Sequence, residues 1–406
     1  MEKVFSMVGG DGEFSYHQMG VIQAYTIRKL EPLLVEAIKH LSLPEHGPLH
    51  IADFGCSTGK NSITCINFIV KSIAERYAKA AAGETTGHDT TCMPEMLVFF
   101  IDLPVNDFNH LIQLLASNKA ENGGDSIGVD GADVAKVNNY LSATRGGSFY
   151  NRLLPKESMH FAISTWALHW MSQIPKRVTD PNSPCYNKGR SWILGGDPLI
   201  AQEFAQQSQL DLDNFFNCRA AEMAPGGIVF VLLGSRQDAT NPTNQCDPDF
   251  APGPDYENAW NDLIADGVIT TDTRDTFNIP VYYRSKEEVK TSIIKCGAFD
   301  IQYLQSCDDE SLCPKDELMH MLQFPQSFAK FYSAWARAMM GPIMEAHMGL
   351  QATNEFFIRH QRRIAAHATS VLSDPKAQEE YKCFNLGFLL VVLKRKVPKS
   401  MEPSPF

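Results

Sequence analysis

The chain of 406 residues carries a formal net charge of −11 at pH 7, and charged residues make up 20% of it. Nucleic acids and anionic membrane surfaces are usually bound by clustered Lys and Arg, so this balance disfavours both as partners. Ten cysteines without a CxxC pair predict free thiols. No basic, apolar leader and no apolar run of about eighteen residues occurs, so we expect a cytoplasmic protein without a signal peptide or membrane span.

Short apolar runs predict buried strands at 49–54, 96–101, 160–164, 228–234 and 388–393. A helical pattern follows the first run, where Ile63, Ile66 and Ile69 recur at helical spacing. The strands and this helix indicate a β/α alternation.

Residues 117–147 are rich in Gly, Ser, Asn and Asp, and we interpret them as a long surface excursion. Helical patterns at 258–265, 318–340 and 343–372 then predict a mostly helical insertion before the closing strand.

This organisation predicts an α/β fold, with a doubly wound, Rossmann-like sheet and a mostly α-helical cap. We expect a single unit over 1–406. Its core would comprise 25–240 and 373–398, its cap 241–372, and residues 5–23 would close over the ligands.

The strongest local signal is the loop DFGCSTG from Asp53 to Gly59, which follows the first predicted strand and opens a helix. In open α/β sheets, ligands bind at this carboxyl edge of the strands. The spacing is not GxGxxG, which argues against a nicotinamide dehydrogenase. Gly55 and Gly59 allow the backbone to approach a ligand closely.

A second acid, Asp102, ends the next predicted strand. Together with Asp53 it suits a ligand that joins adenosine to an amino acid. Asp53 would lie near an ammonium and a sulfonium, amides at the helix start would meet a carboxylate, and Asp102 would bind two ribose hydroxyls. For either acid alone, simple capping of the adjacent turn or helix remains an alternative.

The run STWALHW directly follows the strand at 160–164 and contains Trp166, His169 and Trp170. These rings, with Gln23 of the N-terminal segment, could line one small pocket and offer amide and indole donors. A helix that packs its aromatic face into the core is an equally open interpretation.

Seven segments resemble, in the same order, the plant SABATH family of carboxyl and N-methyltransferases. They are GGDGEFSY, DFGCSTGKN, DLPVNDFN, GSFYNRLLP, WALHWMSQIP, NKG and FNIP, and they cover the chain from about Met7 to Pro280. The resemblance implies S-adenosylmethionine as the methyl donor and a homodimer. It implies cofactor contacts from Tyr16, Cys56, Asn61, Asp102, Leu103, Ser148 and Phe149, with Asp53 supporting the loop.

For the acceptor, the resemblance implies that Gln23 and Trp170 tether a carboxylate beside the methyl donor. Trp166 and His169 would line the rest of the acceptor, and the segment around Tyr16 would close over both ligands. The resemblance also implies a Mg²⁺ position at Asn187, Asp275, Asn278 and the Phe277 carbonyl, whose oxygen atoms suit a hard cation. The alternative is that these residues only brace their loops.

A carboxylic acid with a pKa of about 4 is already ionised at neutral pH, so its methylation needs alignment and no general base. We therefore expect methyl transfer to the carboxylate of a small acid, giving a methyl ester and S-adenosylhomocysteine. Because an indole at Trp166 would flatten the cavity, a cinnamate, benzoate or salicylate type of acid is favoured. Indole-acetate, jasmonate, farnesoate, a ring nitrogen, and an inactive acid-binding protein remain alternatives.

Overall fold

The computed structural model describes residues 6–44, 46–81, 93–121, 140–250, 253–307, 315–382, 384 and 386–398. The strands are β1 Leu49–Phe54, β2 Met96–Asp102, β3 Leu141–Gly146, β4 Met159–Thr165, β5 Met223–Gly234, β6 Phe299–Cys307 and β7 Phe388–Arg395. The helices are α1 Tyr16–Met19, α2 Val21–Lys29, α3 Glu31–Lys39, α4 Lys60–Ala81, α5 Phe108–Glu121, α6 Pro198–Glu222, α7 Pro254–Ala265, α8 Thr271–Asp275, α9 Lys286–Cys296, α10 Lys315–Leu322, α11 Pro325–Ser373 and α12 Pro375–Glu380.

The described strands form one mixed sheet in the order β3-β2-β1-β4-β5-β7-β6. β1 to β5 run parallel, and β7 lies antiparallel between β5 and β6. The order reverses beside β1, whose neighbours are β2 and β4, and this reversal opens a crevice at the carboxyl ends of the strands. The predicted α/β fold and all five predicted strands are confirmed.

Alternate residues of the central strands enter two separate hydrophobic clusters. On β5, Phe230 and Leu232 belong to one cluster, and Val229 and Val231 belong to the other. Successive strand side chains point to opposite faces, so the clusters cover the two faces of the sheet. The first cluster includes side chains of α4, α7 and α11, and the second includes side chains of α6 and α9.

The two edge strands, β3 and β6, were not predicted from the sequence. β3 is half exposed, with Leu141 57% accessible, so it lacks the apolar run of an interior strand. The proposed surface excursion at 117–147 is therefore wrong at its ends, where α5 extends to Glu121 and β3 begins. Its middle, 122–139, lies outside the described residues.

β6 pairs with β7 along its length, and α9 packs on α6. Residues 286–307 therefore belong to the sheet and its helical layer, and not to the cap range 241–372 in which we placed them. α9 itself begins with a capping box between Ser285 and Glu288 and ends at Gly297 in the left-handed region, φ 67°.

The helical cap over the crevice consists mainly of α7, α10, α11 and α12. α11 is broken by non-helical backbone at Gly349, with φ 83° and ψ 162°. Among the described helices, none is both long and apolar enough to cross a membrane.

Candidate active site

One cavity of about 300 Å³ lies at the crevice between the sheet edge and the cap. Every residue predicted to contact the cofactor or the acceptor lines it: Tyr16, Gln23, Asp53, Gly55, Cys56, Asn61, Asp102, Leu103, Ser148, Phe149, Trp166, His169 and Trp170. They come from segments that are distant in sequence, and the carboxyl ends of β1 to β4 bring most of them together. The predicted magnesium residues do not line this cavity.

The loop after β1 has backbone dihedral angles that few residue types adopt. Gly55 and Gly59 have φ of 98° and 101°, and Ser57 between them has φ of 48°. A Cβ on Gly55 would lie 2.4 Å from the Cβ of Ala167, and one on Gly59 would lie 2.3 Å from a methyl of Leu111. Glycine is therefore required here by both conformation and space.

Asp102 fixes this loop against the end of β2. Its carboxylate accepts the Ser57 N–H and the Leu103 N–H, each at 2.7 Å. Burial raises the pKa of Asp102 to about 6, against the lowering effect of these two hydrogen bonds. Each oxygen accepts only one of these bonds and keeps capacity for a ligand hydroxyl.

Asp53 lies deeper, at 3% exposure, and accepts the Ser62 hydroxyl on one oxygen. Its Oδ1 is buried without a hydrogen-bond partner. Burial, with a smaller contribution from nearby Asp102, raises the pKa of Asp53 to about 7, although the Ser62 hydrogen bond opposes this. A buried, unpaired carboxylate fits a cationic ligand, which would restore its ionised form.

The charged side chains that line the cavity are all acidic. Asp53, Asp102 and Asp211 line it, and among the described lining residues there is no Lys or Arg. Asp211 is already saturated by Ser172 and Gln207, whereas Asp53 is not. The cofactor side therefore suits a ligand that carries an ammonium or sulfonium group.

The loop after β3 carries Ser148 and Phe149 and is supported by a buried ion pair. Arg219 pairs with Glu222, and both side chains are 0% exposed. Arg219 donates to the Phe149 carbonyl at 2.7 Å, and Glu222 accepts the Leu153 N–H at 2.6 Å. The ion pair thus fixes the backbone of this loop beside the cavity, and no sequence pattern predicted it.

Residues 166–170 form a loop and not a helix, so the interpretation of STWALHW as a core helix is wrong. Trp166 has φ of 55°, and Trp170 forms an isolated bridge with Val281. The Tyr150 hydroxyl donates to the carbonyls of Leu168 at 3.2 Å and Trp170 at 2.5 Å. The three rings are consequently held at one wall, with the His169 centroid 6.2 Å from those of both Trp166 and Trp170.

Gln23 reaches the same cavity from α2. It is 8% exposed, its Oε1 has no partner, and its Nε2 makes only a long contact of 3.9 Å to the Met339 sulfur. Its amide is therefore available to a ligand. Burial, with Arg284 as a smaller cause, lowers the pKa of His169 to about 3, so this ring is neutral near pH 7.

Comparison with known proteins decides the family. The family described as SAM dependent carboxyl methyltransferase matches residues 2–396. The chain belongs to this family. The resemblance drawn from the sequence motifs is thereby confirmed, and so is S-adenosylmethionine as its cofactor.

Named relatives of this carboxyl methyltransferase act on several acids. Gibberellic acid methyltransferase 2 of Arabidopsis thaliana is 34% identical over 90% of each chain. Indole-3-acetate O-methyltransferase 1 of Arabidopsis thaliana is 35% identical over 92% of each chain. Among solved structures, a loganic acid methyltransferase with SAH has a TM-score of 0.76 and 27% identity, covering 98% of this chain and 100% of that one.

The cavity of this carboxyl methyltransferase is also lined by residues that we did not predict. Phe250, Trp335, Met339 and Met340 line the cavity from the cap side. The last three lie on α11, whose buried stripe has the periodicity of an ordinary core helix, so no local signal marks them. Ser62, the partner of Asp53, lies on the first turn of α4 and was also missed.

Three of the four residues of the predicted Mg²⁺ position have side-chain oxygens that already accept hydrogen bonds or belong to a side chain that donates one within the protein. The Asn187 amide donates to Asn278 Oδ1 at 2.7 Å, and Asp275 Oδ1 accepts Arg274 Nε at 2.8 Å and the Gly189 N–H at 2.9 Å. The single carboxylate is already neutralised by Arg274, so the arrangement fits loop bracing and not a divalent cation.

Proposed function

We propose that this carboxyl methyltransferase converts a small, ring-bearing acid of the cinnamate, benzoate or salicylate type into its methyl ester, releasing S-adenosylhomocysteine. The observation that carries the proposal is the contrast between the two sides of the cavity. The cofactor side has unpaired carboxylate, whereas Gln23 and the aromatic wall offer only neutral groups to the acceptor.

The reaction needs orientation of two charged partners. Bound S-adenosylmethionine supplies a methyl group on a positively charged sulfur. We propose that Asp53 and the amides of the β1 loop bind the amino-acid end of the cofactor, and that Asp102 binds the ribose. Ser148 and Phe149 would contact the adenine, and Tyr16, Cys56, Asn61 and Leu103 would complete the contact surface.

On the acceptor side, Gln23 and the Trp170 indole would hold the carboxylate with its oxygen facing the methyl carbon. A bond forms from that oxygen to the carbon while the carbon–sulfur bond breaks, and the electron pair remains on sulfur. The acid is already ionised, so no proton moves and no base is required. The exclusion of water by the cap prevents hydration from weakening these contacts.

The aromatic lining supports a flat acceptor. The His169 ring centroid lies 6.2 Å from that of Trp166 and 5.5 Å from that of Tyr283, and Trp335 lines the same cavity from the cap. Such walls favour stacked or edge-to-face contacts with a planar ring. The named relatives make indole-acetate and gibberellic acid the second candidates, because the cap residues Met339 and Met340 are unbranched and adapt to other shapes.

The test is product analysis by mass spectrometry with cofactor labelled in its methyl group. The panel contains benzoic, salicylic, cinnamic, indole-acetic, jasmonic, farnesoic and gibberellic acids, with a purine as the nitrogen acceptor. Our proposal requires a methyl ester of an aromatic acid at the highest kcat/KM. Labelled purine, or no ester from any acid, would refute it.

A Gln23→Leu variant sharpens this test. It should reduce transfer to carboxylates by more than about tenfold through the loss of a hydrogen bond to a charged group, without changing cofactor affinity. Gln113→Leu on the exposed face of α5 is the matched control. Equal losses in both variants would show that Gln23 does not hold the carboxylate.

The predicted homodimer is tested separately, by a gel-filtration mass of twice 45.3 kDa.

A further inference from the structure

The acceptor wall contains polar atoms that no described residue satisfies. Trp166 Nε1 and His169 Nδ1 are buried without a hydrogen-bond partner, in side chains that line the cavity. The two residues are only 9% and 8% exposed. Trp192, by contrast, donates its indole N–H to the Val281 carbonyl at 2.8 Å. Leaving a buried polar atom unpaired costs free energy, and because these two side chains line the cavity, their ring nitrogens are available to a ligand group.

The two groups restrict what that ligand group can be. The Trp166 indole is a donor only, and a neutral His169 ring both donates and accepts, depending on its tautomer. A hydroxyl accepts from the indole and can donate to, or accept from, the imidazole in either tautomer. A second carboxylate is disfavoured because neither ring is charged and because the cavity already contains Asp53 and Asp102.

We propose that the acceptor acid carries a hydroxyl group besides its carboxylate, and that Trp166 and His169 bind this hydroxyl. The ring centroids of these residues are 6.2 Å apart in an edge-to-face arrangement, so one substituent can reach both. Gln23 and Trp170 would then bind the carboxylate at one end of the acceptor. Trp166 and His169 would bind its hydroxyl at another position. This inference rests on the proposed function.

A competing donor lies on the cap. Trp335 Nε1 is also buried without a partner, in a side chain that lines the cavity and is 3% exposed. It lies beside Phe250, with ring centroids 5.4 Å apart. The experiment must distinguish the two indoles.

The experiment compares acids that differ only by a hydroxyl. The probes are benzoate with its 2-, 3- and 4-hydroxy forms, cinnamate with its hydroxy forms, and a hydroxylated alicyclic acid with its deoxy form. kcat/KM is measured for the wild type and for Trp166→Phe, His169→Phe and Trp335→Phe, with Trp192→Phe as the control. Phenylalanine keeps a flat ring and removes the polar atom.

In the wild type, one hydroxylated form should be preferred over its parent by about tenfold or more, because a site built to bind a hydroxyl rejects the analogue without it. Trp166→Phe and His169→Phe should reduce that preference towards one, because they lower kcat/KM for the hydroxylated acid more than for its parent. Trp335→Phe and Trp192→Phe should preserve it.

Three results would overturn the inference. They are equal use of hydroxylated and parent acids, a preference lost in Trp335→Phe alone, and an equal loss for both acids in Trp166→Phe, which would mean that this residue holds the carboxylate. In each case esters still form, so the proposed function survives. Absence of any ester would instead refute the proposed function.

Discussion

Protonation of Asp53 should control the affinity for the cofactor. Without a ligand, burial raises the pKa of Asp53 to about 7, so below that pH the carboxyl group holds a proton in the cofactor-free protein. A cationic ligand binds the ionised form and returns the pKa towards its ordinary value near 4, so binding releases a proton. Lowering the pH from about 7.5 to about 5.5 should then weaken binding by about 20-fold, or about 2 kcal/mol. Asp102, with its pKa raised to about 6, adds to the effect at the acid end.

Isothermal titration calorimetry of S-adenosylmethionine in buffers of different ionisation enthalpy measures both the affinity and the released proton. Asp53→Asn should bind weakly at every pH and release no proton from this site, whereas Glu36→Gln on the exposed face of α3 should behave as the wild type. Affinity that does not change over this pH range in the wild type would refute the reasoning.

Protonation of Asp53 should have opposite effects on cofactor affinity and on stability. It weakens cofactor binding but stabilises the cofactor-free fold. Because the pKa of Asp53 is raised in the folded, cofactor-free protein, the folded state retains a proton that the unfolded chain loses above about pH 4. The free energy of unfolding should therefore fall as the pH rises from about 4 to about 7, by about 1.4 kcal/mol per unit at most. Urea unfolding of the cofactor-free protein should show this slope, and Asp53→Asn should reduce it to the part that Asp102 contributes.

Three further changes probe other parts of the site. Gly55→Ala should abolish cofactor binding, because its Cβ has no room and its φ is positive, whereas Gly12→Ala, with open space around it, should not; circular dichroism shows whether both fold. Arg219→Met leaves Glu222 buried and unpaired, so it should cost about 3–5 kcal/mol in urea unfolding and raise the KM for the cofactor; the added Glu222→Gln change should recover stability more than KM. Since the pKa of His169 is lowered to about 3, kcat at saturation should stay constant from about pH 8 to about pH 6, and a titration of kcat near pH 6.5 would contradict its neutral role.

The interior strands could be predicted because a strand that is buried on both faces requires a continuous apolar run in the sequence. β1, β2, β4, β5 and β7 all follow that rule. The edge strands β3 and β6 contact the interior on fewer sides, and their exposed residues carry no such run. They can be found only through their partners, since pairing with β2 and β7 is a long-range property.

The cofactor side was predictable for a different reason. Its residues lie at the carboxyl ends of consecutive strands, so topology alone brings Asp53, Asp102 and Phe149 together. The cap side of the cavity takes Trp335 and Met339 from a helix more than 150 residues further along the chain than Trp170. No local pattern specifies where the cap lies on the sheet, so that half of the cavity required the structure.

The N-terminal segment is attached to the cap and not only to the sheet. The Val8 N–H donates to the Ala338 carbonyl of α11 at 3.0 Å, and the Tyr16 N–H donates to the Val8 carbonyl at 3.0 Å. Gln23 contacts Met339, the next residue of the same helix. A displacement of α11 would therefore also move Tyr16, which lines the same cavity. Under the proposed function, the fit of the acid would then affect how firmly the methyl donor is held.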